Sequence, residues 1–499
     1  MLDTLASAFA LFATWQNVLV LGLGVVIGTF VGAIPGMTTA MAVALTLPFT
    51  FTLHPVTGIL LLLGVYKGGI YGGSITAILI NAPGTPAASC TVLDGYPMAK
   101  RGEARRALDI ALYASCVADF ISNISLILFA GMLASLALAF GSPEVFTLIM
   151  FSLTIIAGVS GDQLLKGLGS ACLGLLLATI GLDLVYGTNR FVFGEVQLMS
   201  GLNFIPVLIG LFALPEIIAF FGRVEQRREH NPLAGAGASL GDFRRCLKTI
   251  IRGSFIGVIL GAIPGIGGAP SAFLSYSEAK RTSPNGANFG KGEAEGVAAS
   301  EAGNNGVAGA TMIPLLALGI PGDIITAIIL GAFMIHGLRP GPLLFQDNLD
   351  LIYALFIGIM LSSLYLLAVG KLSIRLISRI ADIPHRILFP IVLVLCVYGA
   401  YAINNTIFDV GVMFAMGGVG YLMLRLEIPA APFLIAFILG PLLEDNFRQS
   451  LLLSKGDWGI FFSSPICWLF WGLTVVAVGL TAWRNLRRTR GTEAQDATT

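Results

Sequence analysis

The chain has 499 residues and a formal net charge of +1, with 56% hydrophobic and 11% charged residues; its mean hydropathy is +0.86. A charged fraction less than half that of an ordinary soluble domain excludes a soluble enzyme or a nucleic-acid-binding module. The chain reads as an all-α polytopic membrane protein in a lipid bilayer.

In chain order, apolar runs read as crossings, roughly 17–25 residues each, fall near 15–33, 41–63, 107–139, 144–160, 165–184, 203–222, 350–370, 385–402, 408–424, 430–443 and 458–482. Shorter Gly-rich apolar stretches stand between them at 68–82, 86–99, 253–263, 306–320 and 324–336. Basic residues cluster at Lys100, Arg101, Arg105 and Arg106, at 223–252, at 371–386, and at Arg484, Arg487, Arg488 and Arg490. The positive-inside rule places these four regions, and the C-terminus with them, in the cytoplasm. No Lys or Arg precedes the first run and no small-residue cleavage site follows it, so no removable signal peptide is expected. The six cysteines are scattered without paired spacing, which fits small apolar residues rather than a disulfide framework or a transition-metal site.

An internal repeat organises the chain. "GVVIGTFVGAIPG" at 24–36 aligns without gaps to "GSFIGVILGAIPG" at 253–265, and "YKGGIYGGSITAILINAPGT" at 66–85 to "NNGVAGATMIPLLALGIPGD" at 304–323. The stretch after the first break carries four basic residues over 100–106, whereas its counterpart at 337–350 has one Arg and two Asp. Equivalent loops therefore fall on opposite sides, and the repeat is read as inverted. The expected organisation is a first inverted repeat over 1–222, a basic cytoplasmic linker over 223–252, a second repeat over 253–457, and an extra transmembrane helix with a cytoplasmic tail over 458–499.

Inverted repeats with discontinuous helices are a recurring design of secondary transporters. Backbone left unpaired at membrane depth costs several kcal/mol per group unless it lines a cavity or meets a partner. The start of a half-helix offers free N–H groups and the positive end of a dipole, which suit a carboxylate. Thr85 before Pro86 has the form of a helix start, and Asp323 takes the same place in the second half. Gly84 and Gly322 leave room at the tips. The expected substrate-binding residues are Thr38, Thr39, Lys67, Ser74, Asn81, Gly84, Thr85, Asn304, Asn305 and Gly322. The expected cation-binding residues are Asn81, Gly319, Asp323 and Glu301, because neutral oxygens and freed carbonyls suit an alkali cation. Lys67 has two readings, pairing with an anionic substrate or snorkelling to the interface. Asp323 likewise either caps its helix or binds a cation. His54 and His336 are read as structural. No zinc-protease, P-loop or dinucleotide motif is present, so the chain is not expected to be an enzyme or to need a cofactor.

"GAIPGMTTAMAVALTLPFTF", "YKGGIYGGSITAILINAPGTPAASCTVLDGYPMAKRGEA", "GAIPGIGGAPSAFLSYSEAKR" and "EGVAASEAGNNGVAGATMIPLLALGIPGD" resemble the large membrane subunit of the bacterial tripartite tricarboxylate transporters, over essentially the whole chain. The resemblance implies two partners, a small membrane subunit with about four transmembrane helices and a periplasmic solute-binding protein. It implies uptake of a carboxylate such as citrate across the bacterial inner membrane, coupled to an ion gradient, usually sodium. An elevator-like motion is implied by analogy with other inverted-repeat anion transporters. The contrasting reading is a stand-alone ion-coupled antiporter or channel for small anions.

Overall fold

The computed structural model describes residues 2–159, 164–183, 187–221, 235–380 and 385–479. Linker residues 223–234, the basic tail at Arg484–Arg490 and residues 381–384 of the third basic cluster lie outside the described residues. The first half opens with helices α1 (Leu2–Phe12), α2 (Trp15–Gly32), α3 (Thr39–Thr46), α4 (Pro55–Ile80), α5 (Ala88–Lys100) and α6 (Ala104–Ala137). It continues through α7 (Ser142–Val159) and α8 (Leu164–Ala178) to a two-residue antiparallel ladder, in which Gly181 pairs with Arg190. Helices α9 (Phe204–Phe212) and α10 (Leu214–Phe221) follow.

The second half begins with α11 (Leu240–Gly261), α12 (Gly268–Thr282), α13 (Ala294–Asn305), α14 (Val307–Ala310), α15 (Met312–Leu318) and α16 (Ile324–Ile335). It closes with α17 (Leu344–Asp347), α18 (Leu349–Ile380), α19 (His385–Tyr401), α20 (Ile407–Arg425), α21 (Ala430–Leu453) and an apolar helix over Pro465–Gly479. Among the described residues, α2, α4, α6, α18, α20 and α21 are long and apolar enough to cross a bilayer.

The run at 41–63 is not one crossing. Proline has no backbone N–H and its ring clashes with the preceding turn, so Pro48 disfavours continuation of the helix. Accordingly α3 stops at Thr46, a 3₁₀ turn spans Leu47–Thr52, and the helix restarts with Pro55 in its first turn, where proline is tolerated. The crossing is α4, whose 26 residues continue into the Gly-rich stretch at 68–82 as far as Ile80. Likewise 253–263 is the end of α11, which starts inside the expected linker on a capping box between Ser239 and Asp242.

The glycines set how closely these helices approach. A Cβ added to Gly28 would lie 2.1 Å from the Val65 carbonyl oxygen, and one on Gly68 would lie 2.3 Å from that of Val25. Helices α2 and α4 thus meet backbone to backbone. Their counterparts in the second half repeat the arrangement more loosely, with Gly257 positioned 2.7 Å from the Gly303 carbonyl oxygen by the same measure.

The backbone of the two halves matches at the breaks. Gly36 and Gly265 end the two "GAIPG" motifs with the same φ of +87°, a left-handed conformation natural to glycine. Asn81 (φ 55°) and Gly319 (φ 72°) are left-handed C-caps at aligned positions. Each is followed by the same closing bond, Ala82 N–H to Thr76 carbonyl at 3.3 Å and Ile320 N–H to Pro314 carbonyl at 3.2 Å.

Candidate functional site where four helices begin

The breaks bring the starts of α3, α5, α12 and α16 to the wall of one cavity of about 410 Å³. Thr38 caps α3 by accepting the Met41 N–H at 3.2 Å, and Thr85 accepts the Ala88 N–H at 3.2 Å. Gly267 stands at the start of α12, and Asp323 caps α16. The rest of the wall includes Thr39, Tyr66, Pro86, Asn304 and Ile435.

Charge divides this wall into unequal halves. At the second tip the Asp323 carboxylate accepts the Thr326 N–H at 2.7 Å through one oxygen and the Tyr66 hydroxyl at 3.0 Å through the other. The positive end of α16 is therefore answered within the protein. The first tip is capped by neutral threonines, so the dipoles of α3 and α5 stay uncompensated. Thr39 is 1% exposed and Asn304 3% exposed, yet Thr39 Oγ1 and Asn304 Nδ2 have no hydrogen-bond partner. Buried polar atoms are nearly always paired, and an unpaired one costs about 1–3 kcal/mol. Both lie at the cavity wall and both can donate, so the arrangement suits an anion.

Thr38, Thr39, Thr85, Asn304 and Asp323 are thus brought together. Other expected site residues stand elsewhere. Lys67 does not face the cavity or the interface: its ammonium is 2.5 Å from Asp119 Oδ1 and 2.6 Å from Asn123 Oδ1, and Ser363 donates to Asp119 at 2.6 Å. Gly84 and Gly322 admit protein rather than ligand, since an added Cβ would lie 2.5 Å from the Gly32 carbonyl oxygen and 2.8 Å from Thr311 Cβ. Asn81 is an exposed cap, and Gly319 packs on the Pro340 carbonyl. Ser74, Glu301 and Asn305 form a separate buried group behind the wall, with Glu301 accepting from Thr91, Ser115 and Asn305.

Three residues at or near the site carry weight that the sequence reading gave to none of them. Tyr66 is the repeat partner of Asn304, so extending the alignment to side chains would have found it. Asp119 and Asp94 lay inside stretches counted as apolar. One oxygen of the Asp94 carboxylate accepts the N–H groups of Gly290 (2.9 Å), Gly292 (2.7 Å) and Glu293 (2.7 Å), and the other accepts the Tyr276 hydroxyl (2.8 Å). This contact fastens α5 of the first half to the second. Among the described residues no group of three or more His, Cys, Asp or Glu could hold a metal ion.

Comparison with known proteins identifies relatives of this chain. A protein of Agrobacterium vitis, described as an uncharacterized 52.8 kDa protein in the TAR-I ttuC' 3' region, is 38% identical over 482 residues, 96% of this chain and 95% of that one. A second from the same organism, described as an uncharacterized protein in the TAR-II ttuC' 3' region, is 38% identical over 234 residues, 47% of this chain and 97% of its own length. No solved structure matches the chain. Residues 18–435 match the family described as "Tripartite tricarboxylate transporter TctA family". The chain belongs to that family of transporters.

Proposed function

We propose that this chain is the large permease subunit of a three-protein importer, carrying a di- or tricarboxylate such as citrate across the bacterial inner membrane. A periplasmic solute-binding protein delivers the substrate, a small membrane subunit completes the complex, and a sodium or proton gradient drives accumulation. The chain crosses the membrane as two inverted repeats with its C-terminus in the cytoplasm, and the body bearing the tips moves against the remaining helices.

The observation that carries this reading is the pair of unpartnered buried donors, Thr39 Oγ1 and Asn304 Nδ2, at a cavity where four helices begin. A carboxylate there receives both donors and faces the positive ends of α3 and α5, which are capped by neutral threonines. The Asp323 tip, already answered by its own cap, keeps the opposite wall negative and orients the anion toward Thr38, Thr39 and Thr85.

The test is uptake of labelled citrate into proteoliposomes holding all three proteins, with and without a sodium or proton gradient. Thr39→Ala and Asn304→Ala are each expected to raise KM about tenfold or more, the loss of one hydrogen bond to a charged group. Uptake that ignores both gradients and both substitutions overturns the reading. Uptake by this chain alone would favour a stand-alone carrier instead.

A further inference from the structure

Most buried acids in the described residues have a visible answer to their charge. Asp119 pairs with Lys67, Asp109 with Lys371, Asp183 with Arg448 and Glu293 with Arg245. Asp94 is held by three backbone N–H groups, and Asp323 caps α16. Asp409 and Glu295 sit in the first turns of α20 and α13, where the helix start favours an anion.

Glu301 differs from all of these. It is fully buried in the later turns of α13, where backbone N–H groups are spent within the helix. Its hydrogen bonds come only from neutral side chains: Thr91 on α5, Ser115 on α6 at 3.0 Å, and Asn305 on α13 at 3.3 Å. Ser74 on α4 is fully buried beside the same carboxylate, and its hydroxyl makes no hydrogen bond. A bare carboxylate in such surroundings is costly unless it holds a cation.

We propose that Glu301 is the cation-coupling carboxylate of this carrier, holding the co-transported monovalent cation, a proton or a sodium ion, among the oxygens of Thr91, Ser115 and Ser74, while the Asn305 amide N–H positions the carboxylate. The inference rests on the reading of the chain as a gradient-driven importer. Its link to the substrate is local: Asn304 lines the cavity while its neighbour Asn305 holds Glu301, and Thr91 lies on the helix that starts at the first tip. Cation occupancy therefore ties α4, α5, α6 and α13 together behind the cavity.

The ionisable groups near Glu301 are the Tyr71 phenol of α4 and the Cys90 thiol of α5, which donates to the Ala272 carbonyl. On the other helices packed against α13, the charged and phenolic groups nearest it are engaged elsewhere: Asp119 of α6 with Lys67, Arg245 of α11 with Glu293, and Tyr276 of α12 with Asp94.

The experiment uses the complete three-protein system in proteoliposomes and reads two quantities, citrate counterflow without a gradient and citrate accumulation under a sodium or a pH gradient. Glu301→Gln, which mimics the neutral carboxyl, is expected to keep counterflow and to lose accumulation under whichever gradient drives the wild type. The driving gradient identifies the cation as sodium or proton. Glu301→Gln that accumulates citrate to the wild-type ratio overturns this inference alone. Wild type that shows no counterflow of citrate or of any other di- or tricarboxylate overturns the carboxylate reading instead. Should Glu301→Gln fail to assemble, Glu301→Asp is read by the cation concentration giving half-maximal accumulation. A shifted value supports the inference and an unchanged one overturns it.

Discussion

Asn304 and Asn305 are neighbours on α13 that serve different neighbourhoods. The amide nitrogen of Asn304 meets the cavity unpaired, while that of Asn305 donates to Ser115 Oγ at 2.9 Å and to Glu301 at 3.3 Å. Substituting the two should therefore separate two properties. Asn304→Ala is expected to raise KM for citrate about tenfold with the cation dependence unchanged. Asn305→Ala is expected to alter the cation dependence with a smaller change in KM. Initial uptake rates over a grid of citrate and cation concentrations check this, and identical profiles would contradict it.

The ion pair of Lys67 and Asp119 is expected to act on stability. Lys67→Met leaves the Asp119 carboxylate buried without its cation, at a cost of about 3–5 kcal/mol. Adding Asp119→Asn removes the orphaned charge and should recover most of the loss. Thermal unfolding in detergent measures both, and a Lys67→Met protein as stable as wild type would show that the pair is dispensable.

Helix approach supplies a contrast between two glycines. Gly28→Ala places a Cβ against the Val65 carbonyl oxygen, 2.1 Å away, whereas a Cβ at Gly131 meets nothing within 4 Å. The first is expected to cost about 1–3 kcal/mol or more through forced separation of α2 and α4. The second should be neutral or slightly stabilising. Yield of monodisperse protein and its Tm distinguish them.

Acid should weaken one contact near the basic clusters. A hydrogen bond from the Arg106 guanidinium holds the Asp242 carboxyl down at about 2, with Ser239 adding to the effect. A group whose folded value lies below its unfolded value of about 3.9 contributes stability above that pH. The contribution is lost as pH falls from about 4 toward 2. Asp242→Asn should remove that part of the acid dependence, seen as a flatter plot of Tm against pH over this range.

The breaks and their pairing across the halves were legible in the sequence, because proline and glycine act locally and the two "GAIPG" motifs adopt the same backbone. The helix starts near Thr85 and at Asp323 were also read from their local sequence, and both residues stand on the wall of one cavity. Lys67 was misread because its answer, Asp119, lies 52 residues away on a different helix, inside a run that hydropathy averages to apolar. The same averaging hid Asp94. The run at 41–63 was misread because composition alone does not register that Pro48 ends a helix and Pro55 begins one.

The shared frame has a consequence for descent. Two halves with the same backbone at their breaks are what a duplicated ancestor would leave, and such an ancestor would have carried either an acid at both tips or at neither. With Thr85 opposite Asp323, the tips differ by one charge while Gly36 and Gly265 keep the same geometry. The charge difference between the two tips thus rests on side chains that can diverge singly, leaving the backbone of the breaks untouched.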